Sequence, residues 1–505
     1  MEKTVEELLY YAEYHLGLKK RDENYIRNLL MEKLRLKNRY DGEIDKKALE
    51  NLTVPDCFAE RISEYAKSSA LCDEYLVPNF VCGIFGLITP VPSAVEERFY
   101  ELYNENPSSA FSYLFDLSIK NNYVQKTAVD RNIKWRADFP ENYLEITINL
   151  SKPELDNKDI AKNLSDEGNT SYPKCALCAE NEGFIGTVKK APRQNIRTVD
   201  ITLGGEEWFM QYSPYQYYDE HCIAINKTHT YMKVDGKTFE KLFDFVDFYP
   251  SYFVGSNAPL SIVGGSILNH EHYQGGGHLM PLHYAKPKKH YKLSGFECVD
   301  FSITDWYNSV VHIEGEDRKA IEKAGEYVLE KFKAYSDESV DLIAETTEKH
   351  NTVTPIARKN GNKYILDLIL RNNRCNDEYP EGIFHAHPKY HNIKKEGIGL
   401  IEAMGLFILP ARLARQTKSI EKFLTGEETY EYESLPEDMK VHSGMIERLL
   451  FENGNAVSKD EAERLVKAYV NETCRNILIN TAVFKPDEKG FEHFDRFMKA
   501  SGFEE

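Results

Sequence analysis

The stretch Ser266-Ile-Leu-Asn-His-Glu-His-Tyr-Gln-Gly-Gly-Gly-His278 decides how the rest of the chain is read. His270, His272 and Gln274 stand two residues apart, and in an extended strand that spacing puts all three side chains on one face. A helix would scatter them. Gly264-Gly265 before the histidines and Gly275-Gly276-Gly277 after them predict a short strand bounded by turns, where backbone can approach a ligand closely. An imidazole is a nucleophile that titrates near neutrality, so a pre-oriented histidine can attack phosphorus and carry the transferred group covalently. A hydrogen bond to one ring nitrogen fixes which nitrogen is free, and a glutamine amide can donate to phosphate oxygens where charge develops.

Upstream, Cys175-Ala-Leu-Cys178 has the spacing at which two thiolates reach one tetrahedral zinc ion, which is half of a site. The run Ala191-Pro-Arg-Gln-Asn-Ile-Arg197 offers two guanidinium forks, Arg193 and Arg197, that could clamp phosphates or simply be solvated. Strands are expected at Trp208–Tyr212 and His221–Ile225, and Tyr215, Tyr217 and Tyr218 between them could stack on a base or pack in a core. Downstream, Lys319 to Tyr335 predicts an amphipathic helix and Lys363 to Arg371 a strand. Phe384-His385-Ala-His387 then repeats the His-x-His spacing. Gly397 to Gly405 reads as a helix with Ile401, Met404 and Ile408 on one side, ended or kinked near Pro410. Ser458-Lys-Asp-Glu461 reads as a capping box opening a helix through Ile477.

The opening of the chain is helical in pattern. Val5, Leu8, Leu9, Ala12 and Leu16 recur at helical spacing, as do Ile26, Leu29, Leu30 and Leu34 after a cap candidate at Asp22. Two prolines break the pattern between Leu87 and Ser93, and a helix is expected to resume through Val95–Tyr100. Tyr143 to Leu150 alternates as a strand, with Leu144, Ile146 and Ile148 on one side, and the charged run Lys152 to Asp166 reads as a short helix or linker.

A chain of 505 residues exceeds one core and implies roughly two to four domains. With 42% hydrophobic and 12% aromatic residues it can bury those cores. A formal net charge of -18 argues against a nucleic-acid partner, which needs a basic face, and an anionic substrate then requires a local pocket of donors. Met1-Glu-Lys-Thr-Val-Glu-Glu is charged with no apolar core behind it, and no run reaches membrane-span length. Nine cysteines without a disulfide-like framework fit reduced thiols, and the expectation is a cytoplasmic location with no membrane partner.

His270-Glu-His272-Tyr-Gln274 resembles the His-x-His-x-Gln signature of the galactose-1-phosphate uridylyltransferase branch of the histidine-triad superfamily. The longer string Gly264–Gly276 is similar to its second class, the bacterial UDP-glucose:hexose-1-phosphate uridylyltransferases. The first class reads His-Pro-His-Gly-Gln, so Glu271 and Tyr273 depart from it, both on the opposite face of a strand. The resemblance implies that His272 is the nucleophile, that Gln274 steadies the transferred phosphoryl group, and that Asn257, Gly275 and Gly276 lie against the nucleotide. It also implies a structural zinc site completed by His229, in the turn Asn226-Lys-Thr-His229, and by His270, with no organic cofactor. His385 and His387 would belong to a second, degenerate half, as structural or substrate-lining residues, because no further metal ligand is recognisable near Asn373, Arg374 and Asn376.

The fold expected is α+β, with two histidine-triad-like halves built on antiparallel sheets and a helical N-terminal extension. The domains expected are a mainly helical 1–165, a catalytic half 166–300, and a degenerate half with C-terminal helices 301–505. The reaction implied takes UMP from UDP-glucose to galactose 1-phosphate through a uridylyl-histidine, in the galactose pathway, with a homodimer as the family's assembly. Two alternatives stand beside it: a dinucleoside polyphosphate phosphorylase of the same superfamily, and a non-catalytic zinc-bearing scaffold.

Overall fold

A computed structural model describes residues 1–151 and 172–505, so the expected helix or linker from Lys152 to Asp166 lies outside the described residues. The chain forms two compact units, Met1–Arg131 with Glu154–Thr230, and Asn132–Pro153 with Tyr231–Glu505. That division corrects the three consecutive segments with borders at 165 and 300. The hairpin of strands Ile133–Asp138 and Tyr143–Asn149, expected in the helical N-terminal region, belongs to the second unit because Leu406–Pro410 adds to Tyr143–Asn149 as a parallel strand. Residues 231–300 likewise pack with the C-terminal part.

The first unit is mainly helical, with helices Glu2–Tyr11, Glu23–Lys33, Asp56–Ser68, Val77–Ile88, Pro92–Glu105 and Pro107–Lys120. Its core is the apolar stripe legible in the sequence: Val5, Leu8, Leu9, Ala12 and Leu16 are all buried. The two prolines after Leu87 end one helix at Ile88 and open the next at Pro92, where a missing N–H costs nothing. Strands Val199–Leu203, Glu206–Tyr212 and Cys222–Asn226 follow as an antiparallel meander.

In the second unit seven strands run in the order His272–Gly276, Phe253–Gly255, Asn351–Asn360, Lys363–Asn372, Val310–Gly315, Asp300–Thr304 and Pro287–Tyr291. Each neighbouring pair is antiparallel. Helices Gly236–Phe248 and Arg318–Lys333 supply much of the apolar core through Phe239, Leu242, Phe243, Ile321 and Leu329. The expected strand at Lys363 and helix after Lys319 are therefore present. Gly397–Gly405 is not one helix: the helix covers only Leu400–Ala403, and Gly405 turns the chain at φ +100°, a conformation that L side chains rarely adopt. Beyond it the apolar Leu406, Phe407 and Leu409 are buried in the strand Leu406–Pro410. Ser458 caps the helix Lys459–Thr481 by accepting from the Glu461 N–H, but the Glu461 carboxylate pairs with Arg464 rather than closing a capping box. No single helix among the described residues is long and apolar enough to cross a membrane.

The architecture is α+β with a helical N-terminal part, as expected, and its sheets are antiparallel except where Leu406–Pro410 pairs in parallel. Register also fixes which side chains share a face. Gln274, Gly255, Ile356, Asp367 and His312 stand opposite one another from strand to strand, and His272, two residues before Gln274, points to that same side.

Candidate functional site

In the second unit the strand begins at His272, not at His270. His270 sits in the bend just before it, so only two of the three residues read as strand are in one. The bend matters for the chemistry, because the His270 carbonyl accepts a hydrogen bond of 2.8 Å from Nδ1 of His272. A carbonyl cannot donate, so Nδ1 carries the proton and the Nε2 lone pair is left for attack. His272 is only 7% exposed, and burial lowers its pKa to about 4, which keeps the ring neutral around pH 7.

Two features hold this strand in place. Gly275 is required by its neighbour, since a Cβ there would lie 2.4 Å from the Phe253 carbonyl oxygen. On the opposite face, the carboxylate of Glu271 lies 3.0 and 3.1 Å from Nζ of Lys241, on helix Gly236–Phe248, and accepts from the Tyr273 hydroxyl at 3.0 Å. Lys241 and Glu271 are each 1% exposed. The residues between and after the two histidines are thus the anchor of the motif. Sequence reasoning placed Glu271 and Tyr273 on that face but missed Lys241, whose only signal was a lysine on the apolar side of an amphipathic helix. Nearby, His278 Nε2 pairs with Glu145 at 2.7 Å, a contact with no signal in the local sequence.

Asn257 is buried, and its side-chain oxygen accepts from the Leu400 N–H at 2.9 Å, so part of its hydrogen-bonding capacity ties the strand end to the short helix Leu400–Ala403. Gly276 closes the strand. Of the second histidine pair, His387 stacks on Tyr379 with centroids 4.0 Å apart and bonds to the Ile383 carbonyl, while His385 is buried.

In the first unit Cys175 and Cys178 bring their sulfurs to 3.6 Å, and Nδ1 of His229 lies 3.8 and 3.2 Å from them. Bond lengths of about 2.3 Å to sulfur and about 2.0 Å to nitrogen around a tetrahedral zinc ion give donor separations of roughly 3.6–3.8 Å. The three donors therefore fit such an ion in kind, two of the three separations match it while the Cys178–His229 one is shorter, and this Cys/His group could hold a metal. Burial raises the Cys175 thiol to about 11, so without a cation its thiolate is disfavoured at neutral pH.

The two arginines part company. Arg197 donates from Nε to the Pro90 carbonyl, from Nη1 to those of Gln194 and Ile196, and from Nη2 to those of Gly86 and Thr89. Its fork is filled by backbone, which corrects the reading of Arg197 as a phosphate clamp. It bolts the loop after residue 191 to the end of helix Val77–Ile88. Arg193 is half-buried, donates to the Pro192 carbonyl and lies over the Tyr123 ring. Tyr215 stacks on Tyr217, and Tyr217 and Tyr218 both pack on His221, an aromatic cluster of the core kind.

Comparison with known proteins bears on this geometry. Residues 31–230 match the family model for the N-terminal domain of galactose-1-phosphate uridyl transferase, and residues 244–433 match that for its C-terminal domain. A galactose-1-phosphate uridylyltransferase of Caldanaerobacter subterraneus subsp. tengcongensis is 41% identical over 490 residues, covering 94% of this chain and 93% of the relative. One from Clostridium acetobutylicum is 39% identical over 94% of this chain and 95% of its own, and one from Fusobacterium nucleatum 37% identical over 99% and 98%. Among solved structures, yeast Ap4A phosphorylase Apa2 aligns at a TM-score of 0.30 with 9% identity, over 64% of this chain and 90% of that one.

Proposed function

The chain belongs to the galactose-1-phosphate uridylyltransferase family, and from that premise we propose that it moves UMP from UDP-glucose to galactose 1-phosphate through a uridylyl group on His272. It is a nucleotidyltransferase of galactose metabolism. Nε2 of His272 attacks the α-phosphorus of UDP-glucose, a P–N bond forms, and the P–O bond to glucose 1-phosphate breaks. The phosphate oxygen of galactose 1-phosphate then attacks the same phosphorus, the P–N bond breaks, and UDP-galactose leaves. Both leaving groups depart as anionic phosphates or as a neutral imidazole, so neither step demands a strong general acid.

The observation that carries this reading is the bond from His272 Nδ1 to the His270 carbonyl, which supports a neutral ring with a free and oriented Nε2. Gln274, two residues on, is proposed to donate its amide to the phosphoryl oxygens as charge grows. Gly275 and Gly276 are proposed to leave room for the nucleotide to approach the backbone, and Asn257 and Arg193 are proposed as further substrate contacts. Arg197 is not part of the proposal, because its donors are engaged by carbonyls.

We further propose that the metal is a structural zinc held by Cys175, Cys178 and His229 with His270 as the fourth donor of the same group. Four protein ligands leave no open position, so its role would be to fix the backbone at His270 and through it the ring of His272. From the family alone we propose a homodimer working in the cytoplasm, and a single-chain mass in light scattering would count against it. The function is tested by isotope exchange: labelled glucose 1-phosphate should enter UDP-glucose without any galactose 1-phosphate present. Exchange that needs the second sugar phosphate would sink the two-step route.

A further inference from the structure

Strand Lys363–Asn372 ends in a guanidinium that its surroundings do not satisfy. Arg371 is 1% exposed, donates from Nη2 to the Ile398 carbonyl at 2.7 Å, and has its Nε and Nη1 buried without a hydrogen-bond partner. His385, 4% exposed and close enough for the charge of Arg371 to act on its ring, has neither ring nitrogen paired. Thr352 stands directly across from Arg371, and Thr354, two residues further along the same strand and on the same face, buries an unpaired hydroxyl. Five buried polar atoms thus lack partners in one part of the second unit.

The charge balance narrows what could pair with them. The nearest carboxylate felt by Arg371 is Glu402, but Glu402 is already matched by Lys394 at 3.0 Å and accepts from the Gly399 N–H. His385 is neutral around pH 7, since burial and the nearby Arg371, His391 and His387 all oppose its protonation. One positive charge is therefore left without a counter-charge in a site closed to solvent, a costly state that a water molecule would not relieve. Nε and Nη1 flank the engaged Nη2, so each edge of the guanidinium keeps one unmet donor that an anion can accept from.

We propose that Arg371, His385 and Thr354 form a buried binding site for one monovalent anion of the halide class. A single negative charge balances the single guanidinium, and no side chain of the site is more than 4% exposed, which excludes the phosphate group of a large substrate. The anion clasps the irregular segment around His385 and Ile398 to the sheet.

The test compares the full-length protein in potassium bromide and in potassium gluconate at equal ionic strength, by thermal unfolding and by anomalous diffraction from bromide-grown crystals. The expected results are a bromide peak between Arg371 and His385 and a melting temperature that rises with bromide and saturates. Arg371→Leu should abolish both. If that variant does not fold, His385→Phe should raise the half-saturating bromide concentration by about tenfold. Equal melting temperatures in the two salts with no peak at Arg371 would mean a site filled by water and would overturn the proposal. So would a bromide response that both variants retain.

Discussion

The chain carries the His-x-His spacing twice, and the two copies have different surroundings. His270-x-His272 leads into a strand whose intervening residue is locked by a buried Lys241–Glu271 pair, with the second imidazole aimed by a backbone carbonyl. His385-x-His387 lies in irregular chain before the turn Pro388–Tyr390, with His387 flat against Tyr379 and His385 beside a buried arginine. Spacing alone does not make a nucleophile. What distinguishes the first copy is strand geometry, a fixed tautomer and an anchored backbone.

The sharpest break between the copies comes from substitution. His272→Asn should lower kcat/KM by roughly three orders of magnitude or more, as expected when a covalent nucleophile is lost. His387→Asn should retain most of the activity. Steady-state rates for both variants decide it, and a large loss at His387 with little at His272 would invert the comparison.

The anchor gives the next effect. Lys241→Met leaves the Glu271 carboxylate buried without its cation and should cost about 3–5 kcal/mol in denaturant unfolding. Adding Glu271→Gln to it should recover much of that loss. If the double variant is no more stable than the single, the pair is not the anchor described.

The Cys/His group comes next, since it could hold a metal ion. Purified protein should contain about one zinc per chain, and Cys175→Ser should lose it together with several degrees of melting temperature. Metal content by atomic absorption reads the first outcome, and a metal-free wild type of full stability would remove zinc from the site.

The smallest effect separates two histidines on one sheet face. His312 donates from Nδ1 to Asp367 at 2.6 Å, and although burial opposes the charge, Asp367 together with Glu314 raises its pKa to about 9. The charged form is favoured by folding, so this contribution is complete below the unfolded value near 6.5 and is lost as pH rises toward 9. Melting temperature should therefore decline by a few degrees over that window in the wild type, and the decline should be shallower in His312→Gln.

Much of this was legible in the sequence, for identifiable reasons. The motif, its glycines and the Cys175–Cys178 pair are local patterns, and so are the helices with apolar stripes. What could not be read depends on chain brought from far away. Tyr143–Asn149 looked like part of a helical region because its parallel partner, Leu406–Pro410, lies more than 250 residues on. Leu400–Ala403 looked longer because periodicity carries through Gly405, whose backbone turn ends it. Arg197 read as a clamp because three of its five carbonyl partners, Gly86, Thr89 and Pro90, lie about a hundred residues before it, and Lys241 stayed hidden until Glu271 was set against it.

The covalent step is the central claim, and one measurement bears on it most directly. The protein is mixed with UDP-glucose labelled at the α-phosphate and quenched in base, which preserves a phosphoramidate on histidine, and protein-bound label is counted for wild type and His272→Gly. The expected result is label on the wild type alone, discharged by galactose 1-phosphate into UDP-galactose. Equal label on both proteins, or none on either while turnover proceeds, would contradict a uridylyl group on His272.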